Sequence, residues 1–293
     1  MSSDNHVFNT EGRSFLIKFL RVIASALPGD YLKTFVYLNL IDKPRRAARL
    51  SLNTFYRIDH VYAVLQEFAG KYRGRFSVLE FGTSDGYAFT KILFATKYLK
   101  LENRITVHTF DSFEGMPPAA DAKDLDVITG NSWVAGEFKG RYQKLLDHCK
   151  ARYSNFQIHK GMFAESLTDQ LLRTFRSELP VLVWFDCDYY SSARVVFERL
   201  LPHLPNGCVL YFDEYEQLNF GSRFTGEARL VHEINSGVFG ADIELVPDSK
   251  LSLDTKRIYR FVRTQPTLRY ESISTAAHTP QLVHWRGNDS AFP

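Results

Sequence analysis

The feature that most constrains the fold is an alternation of short apolar runs with longer helical stretches, which begins near Phe76. The runs are rich in β-branched and aromatic residues and read as buried strands: Ser77–Phe81, Ile105–Phe110, Phe156–His159, Val181–Phe185 and Val209–Phe212. The stretches with helical character lie near residues 87–98, 138–151, 165–176, 191–203 and 226–236. Near-continuous apolar strands separated by helices predict an α/β fold with a parallel sheet covered by helices on both faces.

Two later runs extend this sheet. Ile243–Val246 and Ile258–Val262 follow one another without a long helix between them, so they can pair as a hairpin. We expect the hairpin to add one antiparallel strand at the sheet edge. The chain has 293 residues, 45% of them hydrophobic, which is enough for one large α/β domain with extensions. We place that domain at residues 71–264.

The segments on either side of the domain have a different character. Residues 1–12 are polar and predicted to be disordered, residues 13–70 form a helical extension, and residues 265–293 form a tail or lid. Within the extension, Ser14–Leu27 is apolar but carries two basic residues, does not resemble a signal peptide, and is shorter than the roughly twenty residues of a spanning helix. We expect an amphipathic helix that packs on the domain or on a second copy of the chain as a homodimer contact. The alternative is a helix on a membrane surface.

Charge and cysteine content narrow the class of protein. The formal net charge is +3, from 36 basic and 33 acidic residues, which gives no general case for nucleic-acid binding. The basic cluster within residues 43–49 reads as a solvated helix face. The three cysteines, Cys149, Cys187 and Cys208, are too few and too scattered for a disulfide framework. We therefore expect a reducing, cytoplasmic location.

The turn after the first strand, Glu80–Gly86, is the first candidate binding element. Ligands of open parallel sheets bind beyond the carboxyl ends of the strands, and glycine lets the backbone approach a ligand closely. The spacing is acidic-x-Gly-x-x-x-Gly and lacks the middle glycine of a dinucleotide loop, so a pyrophosphate is disfavoured. The alternative is that these glycines serve backbone geometry alone. The candidate cofactor residues in this turn are Glu80, Gly82, Thr83, Ser84, Asp85 and Gly86.

The next two strand ends add further candidates. Asp111, followed by Ser112 and Phe113, ends the second strand, where an acidic residue can accept hydrogen bonds from ribose hydroxyls. The alternative is an ordinary helix N-cap. Met162 and Phe163 follow the third strand and could flank an adenine ring, although such residues also pack in cores.

Four carboxylates follow the fourth and fifth strands, which we expect to be neighbours. They are Asp186, Asp188, Asp213 and Glu214. Clustered carboxylates repel one another unless a cation or shared protons offset the repulsion. Oxygen ligands of this kind suit Mg²⁺, Mn²⁺ or Ca²⁺ better than Zn²⁺. The alternative is that two of them cap the following helices and no metal binds.

With these motifs in place, the stretch from Glu80 to about Ile234 resembles the macrocin O-methyltransferase (TylF) family of S-adenosylmethionine-dependent methyltransferases. The matching segments are Glu80–Gly86, Thr109–Pro117, Gly161–Phe163, Asp186–Ser192 and Asp213–Tyr215. The resemblance implies a Rossmann-like, seven-stranded sheet. It also implies S-adenosylmethionine held by Glu80 and the glycines at the methionine end, by Asp111 at the ribose and by Met162–Phe163 near the adenine.

The same resemblance implies Mg²⁺ held by Asp186, Asp213 and Glu214, with Asp188 left for general-base or supporting work. The expected activity is O-methylation of a hydroxyl on a sugar or a glycosylated natural product, with Asp186 and Asp188 as the catalytic residues. The alternatives are a metal-dependent glycosyltransferase that uses the D-x-D at Asp186 and Asp188, a phosphohydrolase, or a binding protein with an idle acidic centre. Trp133 could stack on an acceptor sugar or simply pack on its own domain.

Overall fold

The computed structural model describes residues 29–47, 59–216, 221–251, 257–265 and 268–270. The predicted disordered tail at residues 1–12, the predicted helix Ser14–Leu27 and nearly all of the predicted tail or lid at 265–293 lie outside these ranges. So do any homodimer or membrane contacts made through that helix.

Within the described residues, the chain forms the predicted alternation of helices and strands. The helices are α1 (Asp30–Val36), α2 (Lys43–Ala47), α3 (Asp59–Lys71), α4 (Tyr87–Tyr98), α5 (Tyr142–Lys150), α6 (Phe163–Ser166), α7 (Asp169–Thr174), α8 (Tyr190–Leu200) and α9 (Gly226–Asn235). A π-helical turn, Tyr37–Asp42, joins α1 to α2, and Ala122–Asp124 and Leu201–His203 form short 3₁₀ turns. The strands are β1 (Arg75–Phe81), β2 (Ile105–Asp111), β3 (Phe156–Lys160), β4 (Glu178–Phe185), β5 (Val209–Phe212), β6 (Ile243–Pro247) and β7 (Arg257–Arg263).

The seven strands form one sheet in the order β3-β2-β1-β4-β5-β7-β6, which confirms the predicted Rossmann-like α/β fold. Strands β1 to β5 pair in parallel, and β7 runs antiparallel to β5 on one side and to β6 on the other. The antiparallel strand therefore lies one place in from the edge, and β6 is the edge strand. Strand order reverses between β1 and β4, so ligands are expected beyond the carboxyl ends of these two strands.

Helices cover both faces of the sheet because the central strands are apolar on both sides. Val78 packs in a core with α3, α4 and α5, whereas its neighbour Leu79 packs in a second core with α7, α8 and α9, and both are fully buried. Trp184 and Phe185 divide in the same way on β4. Because these strands are buried on both faces, polar and apolar residues do not alternate along them.

Strand register aligns the ends of the central strands. Phe81 pairs with Phe110 on one side and with Phe185 on the other, and Phe185 pairs with Phe212. The rings stack, with centroids 4.6 Å apart for Phe81 and Phe110 and 4.7 Å apart for Phe185 and Phe212. This aromatic row forms a rigid floor, and the residues that follow it along the chain emerge side by side at one edge of the sheet.

The described parts of the N-terminal extension are helical. Tyr31 of α1 packs edge-on against Phe94 of α4, with ring centroids 5.2 Å apart. Other apolar side chains nearby, such as those of Phe35 and Leu40, are exposed. Within the described ranges, none of the helices combines the length and the hydropathy of a membrane-spanning segment. The three cysteines are buried and unbridged.

The predicted helix near residues 165–176 is two short helices, α6 and α7. The chain leaves helical geometry at Leu167 and restarts after Thr168, whose hydroxyl accepts a hydrogen bond from the Leu171 N–H (3.2 Å). This hydroxyl satisfies an otherwise unpaired donor in the first turn of α7, which is why the helical pattern is interrupted there.

A candidate cofactor cavity and acidic centre

The turn after β1 requires glycine for packing within the protein itself. Gly82 has a φ of +96°, and a Cβ there would lie 1.8 Å from the main-chain oxygen of Asp186. Gly86 has a φ of +80° at the start of α4, and a Cβ there would lie 2.3 Å from a methyl group of Leu145. Backbone geometry therefore accounts for both glycines whether or not a cofactor binds, as the alternative interpretation held.

Asp111 fixes the shape of the same turn. One carboxylate oxygen accepts hydrogen bonds from the N–H groups of Thr83 (2.7 Å) and Ser84 (2.8 Å), and the other accepts from the N–H of Phe113 (2.5 Å). No helix begins at the end of β2, so Asp111 is not a helix N-cap. Its carboxylate joins the turn after β1 to the turn after β2, and this role does not depend on a bound ribose.

Below the turn, a short chain of buried polar groups leads to Glu80. The Thr109 hydroxyl donates to the Glu80 carboxylate at 2.5 Å, and the hydroxyls of Thr83 and Thr109 are also in hydrogen-bond contact. Glu80 is 1% exposed and lines the cavity described next. A buried, oriented carboxylate at this place suits a cationic ligand group better than an anionic one.

A cavity of about 400 Å³ lies at this edge of the sheet. It is lined by nine of the predicted cofactor residues: Glu80, Gly82, Thr83, Ser84, Asp85, Asp111, Ser112, Met162 and Phe163. Gly86 and Phe113 do not line it. The acidic residues Asp186, Asp188 and Glu214 line the same cavity, as do Trp133 and Phe138 from the loop between β2 and α5.

The acidic centre differs from the predicted ligand set. Asp186, Asp188 and Glu214 each offer a carboxylate oxygen, and these oxygens all lie within 4.8 Å of one another. Asp213 is not in this group; it is 1% exposed and accepts a hydrogen bond from the hydroxyl of Tyr211 (2.6 Å). The structure therefore brings Asp188 together with Asp186 and Glu214, and the predicted ligand role of Asp213 stays a prediction.

Asp188 is held in place by unusual backbone geometry. It has a φ of +62°, in the left-handed region that aspartate tolerates better than most residues, and it is buried. The main chain turns tightly there, since the N–H of Tyr189 donates to the carbonyl of Cys187 at 2.6 Å. The turn puts Asp186 and Asp188, which are two residues apart, into one cluster.

Glu227 is a further acidic residue at this centre and lies outside the predicted motifs. It lies in the first turn of α9, is fully buried, and accepts a hydrogen bond from the N–H of Glu214 (3.1 Å). Burial raises its pKa well above the ordinary value, and the nearby charges of Glu214, Asp188 and Asp186 raise it further. A signal was present, because Glu227 is in helical register with the buried residues 230, 231 and 234.

A residue outside the predicted motifs also fastens the loop between β2 and α5. Asp124 is fully buried, and its carboxylate accepts hydrogen bonds from both the N–H and the hydroxyl of Ser191 at the start of α8 (2.8 Å each). Further along the loop, the carbonyl of Trp133 accepts from the hydroxyl of Tyr189 (3.3 Å). These contacts join the loop to Tyr189 and Ser191 at the start of α8.

At the far end of the loop, Arg141 pairs with Asp85 in the β1 turn. The guanidinium donates to both carboxylate oxygens, at 2.9 and 2.5 Å, and this hydrogen bonding lowers the pKa of Asp85. The pair is exposed, so it contributes little to stability. It does connect the cofactor turn to the start of α5.

Comparison with known proteins gives this architecture a family context. Residues 79–215 match the family model described as a methyltransferase domain. The chain has a methyltransferase-type fold. Two solved structures support this: a calicheamicin methyltransferase, CalS11 (18% identity, TM-score 0.50, 87% of this chain and 94% of that one), and the O-methyltransferase NovP (17% identity, TM-score 0.52, 71% and 80%). Curated proteins offer no significant match. The narrower resemblance to the macrocin family stays a prediction.

Proposed function

We propose that this protein is an S-adenosylmethionine-dependent O-methyltransferase that uses a divalent cation to methylate a hydroxyl of a sugar or a glycosylated natural product. The observation that carries the proposal is that a single cavity is lined both by the predicted cofactor turn and by the three clustered carboxylates. Methyl transfer needs the donor and the acceptor oxygen side by side, and one cavity with both features provides that.

The cofactor half of the cavity has chemistry that matches S-adenosylmethionine. Glu80 would face the amino group of the methionine end, because it is a buried carboxylate at the wall. Asp111 has three of its acceptor positions occupied by main-chain N–H groups and would offer the remaining capacity to ribose. Met162 is half exposed and Phe163 follows it, so both are available to an adenine ring.

The acidic half has the donor set of a hard cation. Three carboxylates converge within 4.8 Å, and Mg²⁺ prefers such oxygen ligands. The main-chain N–H of one of them, Glu214, donates a hydrogen bond to Glu227, whose other carboxyl oxygen, Oε1, has no hydrogen-bond partner among the described residues. Asp186, Asp188 and Glu214 would hold the ion. When bound, such an ion lowers the pKa of a coordinated hydroxyl and orients it.

The chain's own residues would then position the acceptor and move its proton. Asp186 or Asp188 would accept the proton from the acceptor hydroxyl, and both line the cavity. Trp133 and Phe138 form the wall of the covering loop, with ring centroids 5.3 Å apart, and present an apolar surface on which a sugar ring could stack.

Two structural relatives support the class of reaction. One is described as a calicheamicin methyltransferase and the other as an O-methyltransferase. The glycosyltransferase alternative gains no support from the comparisons, and it gives no role to the β1 turn or to Asp111.

Calorimetry and activity assays test the proposal directly. We expect S-adenosylhomocysteine to bind the wild-type protein, and we expect methyl transfer to a panel of glycosylated acceptors to stop when EDTA is added and return with Mg²⁺. Asp186→Asn should lose at least about 100-fold in kcat and keep its affinity for S-adenosylhomocysteine. The matched control is Asp169→Asn, an exposed carboxylate that pairs with Arg199 outside the cavity, which should behave as wild type.

The outcomes separate the parts of the proposal. Failure to bind S-adenosylhomocysteine, together with binding of a nucleoside diphosphate, would replace the methyltransferase with the glycosyltransferase alternative. Full activity in EDTA would show that the reaction needs no divalent cation, and the proposal of a methyltransferase would still stand. Activity of Asp186→Asn equal to that of Asp169→Asn would show that the acidic centre takes no part.

A further inference from the structure

The strongest unexplained feature is the environment of Glu227. It is fully buried, and among the described residues it forms no ion pair with an arginine or a lysine. Burial and the nearby carboxyl groups of Glu214, Asp188 and Asp186 instead raise its pKa. Burying a carboxyl costs free energy unless something specific offsets the cost. The residue therefore needs an explanation beyond packing.

The two carboxyl oxygens of Glu227 have different surroundings. Oε2 accepts the hydrogen bond from the N–H of Glu214, whereas Oε1 has no hydrogen-bond partner among the described residues. Glu214 is one of the three clustered carboxylates and lies in the turn directly after β5. The contact joins α9 to that turn across a separation of 13 residues.

Other contacts also hold α9 in place. Leu230, Val231 and Ile234 bury the apolar face of α9 in the second core. Glu233, a second buried acid on the same helix, is paired with Arg229 (2.7 Å) and with the hydroxyl of Tyr190 (2.7 Å). Glu233 therefore has the partners expected of a structural carboxylate, and Glu227 does not.

We infer that Glu227 is a positioning residue for the cation site, which holds the Glu214 carboxylate in the cluster by accepting the hydrogen bond from its main-chain N–H. The inference rests on the proposed function, because it assumes that the cluster binds a cation. Residues that orient metal ligands typically change metal affinity by about 10- to 100-fold when they are removed.

The test measures Mg²⁺ affinity and stability in the same variants. Glu227→Leu replaces the acceptor with an apolar side chain of similar size, and Glu227→Gln keeps an acceptor oxygen. We expect the leucine variant to lose about 10- to 100-fold in Mg²⁺ affinity by calorimetry, while its Tm without Mg²⁺ is equal to or higher than that of the wild type. We expect the glutamine variant to stay within about threefold of the wild-type affinity.

Glu233→Leu is the matched control on the same helix. Its loss leaves Arg229 without its carboxylate, so we expect a lower Tm and an unchanged Mg²⁺ affinity. The affinity for S-adenosylhomocysteine, measured in parallel, should be equal in all variants, because neither glutamate lines the cavity. If Glu227→Leu does not fold, Glu227→Met takes its place with the same expected results.

Each outcome decides a different statement. A wild-type protein that binds no Mg²⁺ would overturn the proposed cation site and this inference with it, whereas S-adenosylhomocysteine binding would still support a methyltransferase. Wild-type binding of Mg²⁺ with equal binding by the leucine variant would overturn the inference alone. The inference would also be overturned if Glu227→Leu lowered both the Tm and the Mg²⁺ affinity and Glu227→Gln lost as much Mg²⁺ affinity. That result would indicate a general loss of stability.

Discussion

Gly82→Ala is the substitution that best separates fold requirements from cofactor requirements at the β1 turn. The new Cβ would lie 1.8 Å from the main-chain oxygen of Asp186, whereas real Cβ contacts essentially never fall below 3.0 Å, so the two strand ends must separate by more than 1 Å. The φ of +96° adds a second cost, because a residue with a Cβ is strained there.

The magnitude follows from these two costs. Positive φ costs an L-residue about 1–2 kcal/mol, and forcing apart a well-packed contact costs about 1–3 kcal/mol more. We therefore expect Gly82→Ala to lower the free energy of unfolding by about 2–5 kcal/mol, a large share of the roughly 5–15 kcal/mol that a domain has.

Gly74→Ala is the control that isolates the backbone cost. Gly74 has a φ of +117° just before β1, and a Cβ there would meet no atom within 4 Å. Urea denaturation of both variants gives the difference, which we expect to be at least about 1 kcal/mol. Because relief of the clash moves Asp186, only Gly82→Ala should also weaken Mg²⁺ binding. Equal losses of stability in the two variants would refute the close-approach explanation.

Three other residues give separate expectations. Burial, together with the charge of nearby His159, lowers the pKa of His108 to about 3, so below pH 6.5 the unfolded chain binds more protons than the native one. The free energy of unfolding should fall as the pH drops from 6.5, by about 2 kcal/mol at pH 5 for this residue, and denaturation of His108→Leu should show a shallower dependence. Asp124→Ala removes the contact with Ser191, so we expect faster proteolysis of the loop between β2 and α5. The KM for the acceptor should rise, with a smaller change in kcat. Unchanged proteolysis would show that the Asp124–Ser191 contact does not hold this loop. Asp111→Asn should weaken S-adenosylhomocysteine binding by about tenfold or more by calorimetry, because hydrogen bonds to a charged group are worth about 1.5–3 kcal/mol; wild-type affinity would count against its role.

The residue pattern predicts the strands and helices and a largely parallel sheet. Apolar runs such as Val181–Phe185 predict strands because double burial leaves no place for polar side chains, and that pattern is local. The position of Asp111 and Asp186 after their strands placed them at one edge of a parallel sheet, since all carboxyl ends of such strands meet there. The helical interruption at Leu167 was not predicted, because a single capping hydroxyl at Thr168 decides it.

Which side chains meet at that edge depends on long-range packing. Asp213 and Asp188 both follow a buried strand, so the sequence pattern does not distinguish them. In the structure, Asp213 accepts a hydrogen bond from the Tyr211 hydroxyl, whereas the tight turn that begins at Cys187 brings Asp188 into the cluster. Glu227 lies 13 residues beyond Glu214 on another element, so no spacing rule connects them. Strand and helix periods are set by neighbouring residues, whereas contacts between strand ends, loops and α9 depend on how the whole chain packs. The cavity of the proposed function therefore forms only when the chain packs, from motifs whose position at the carboxyl ends of the strands could be predicted.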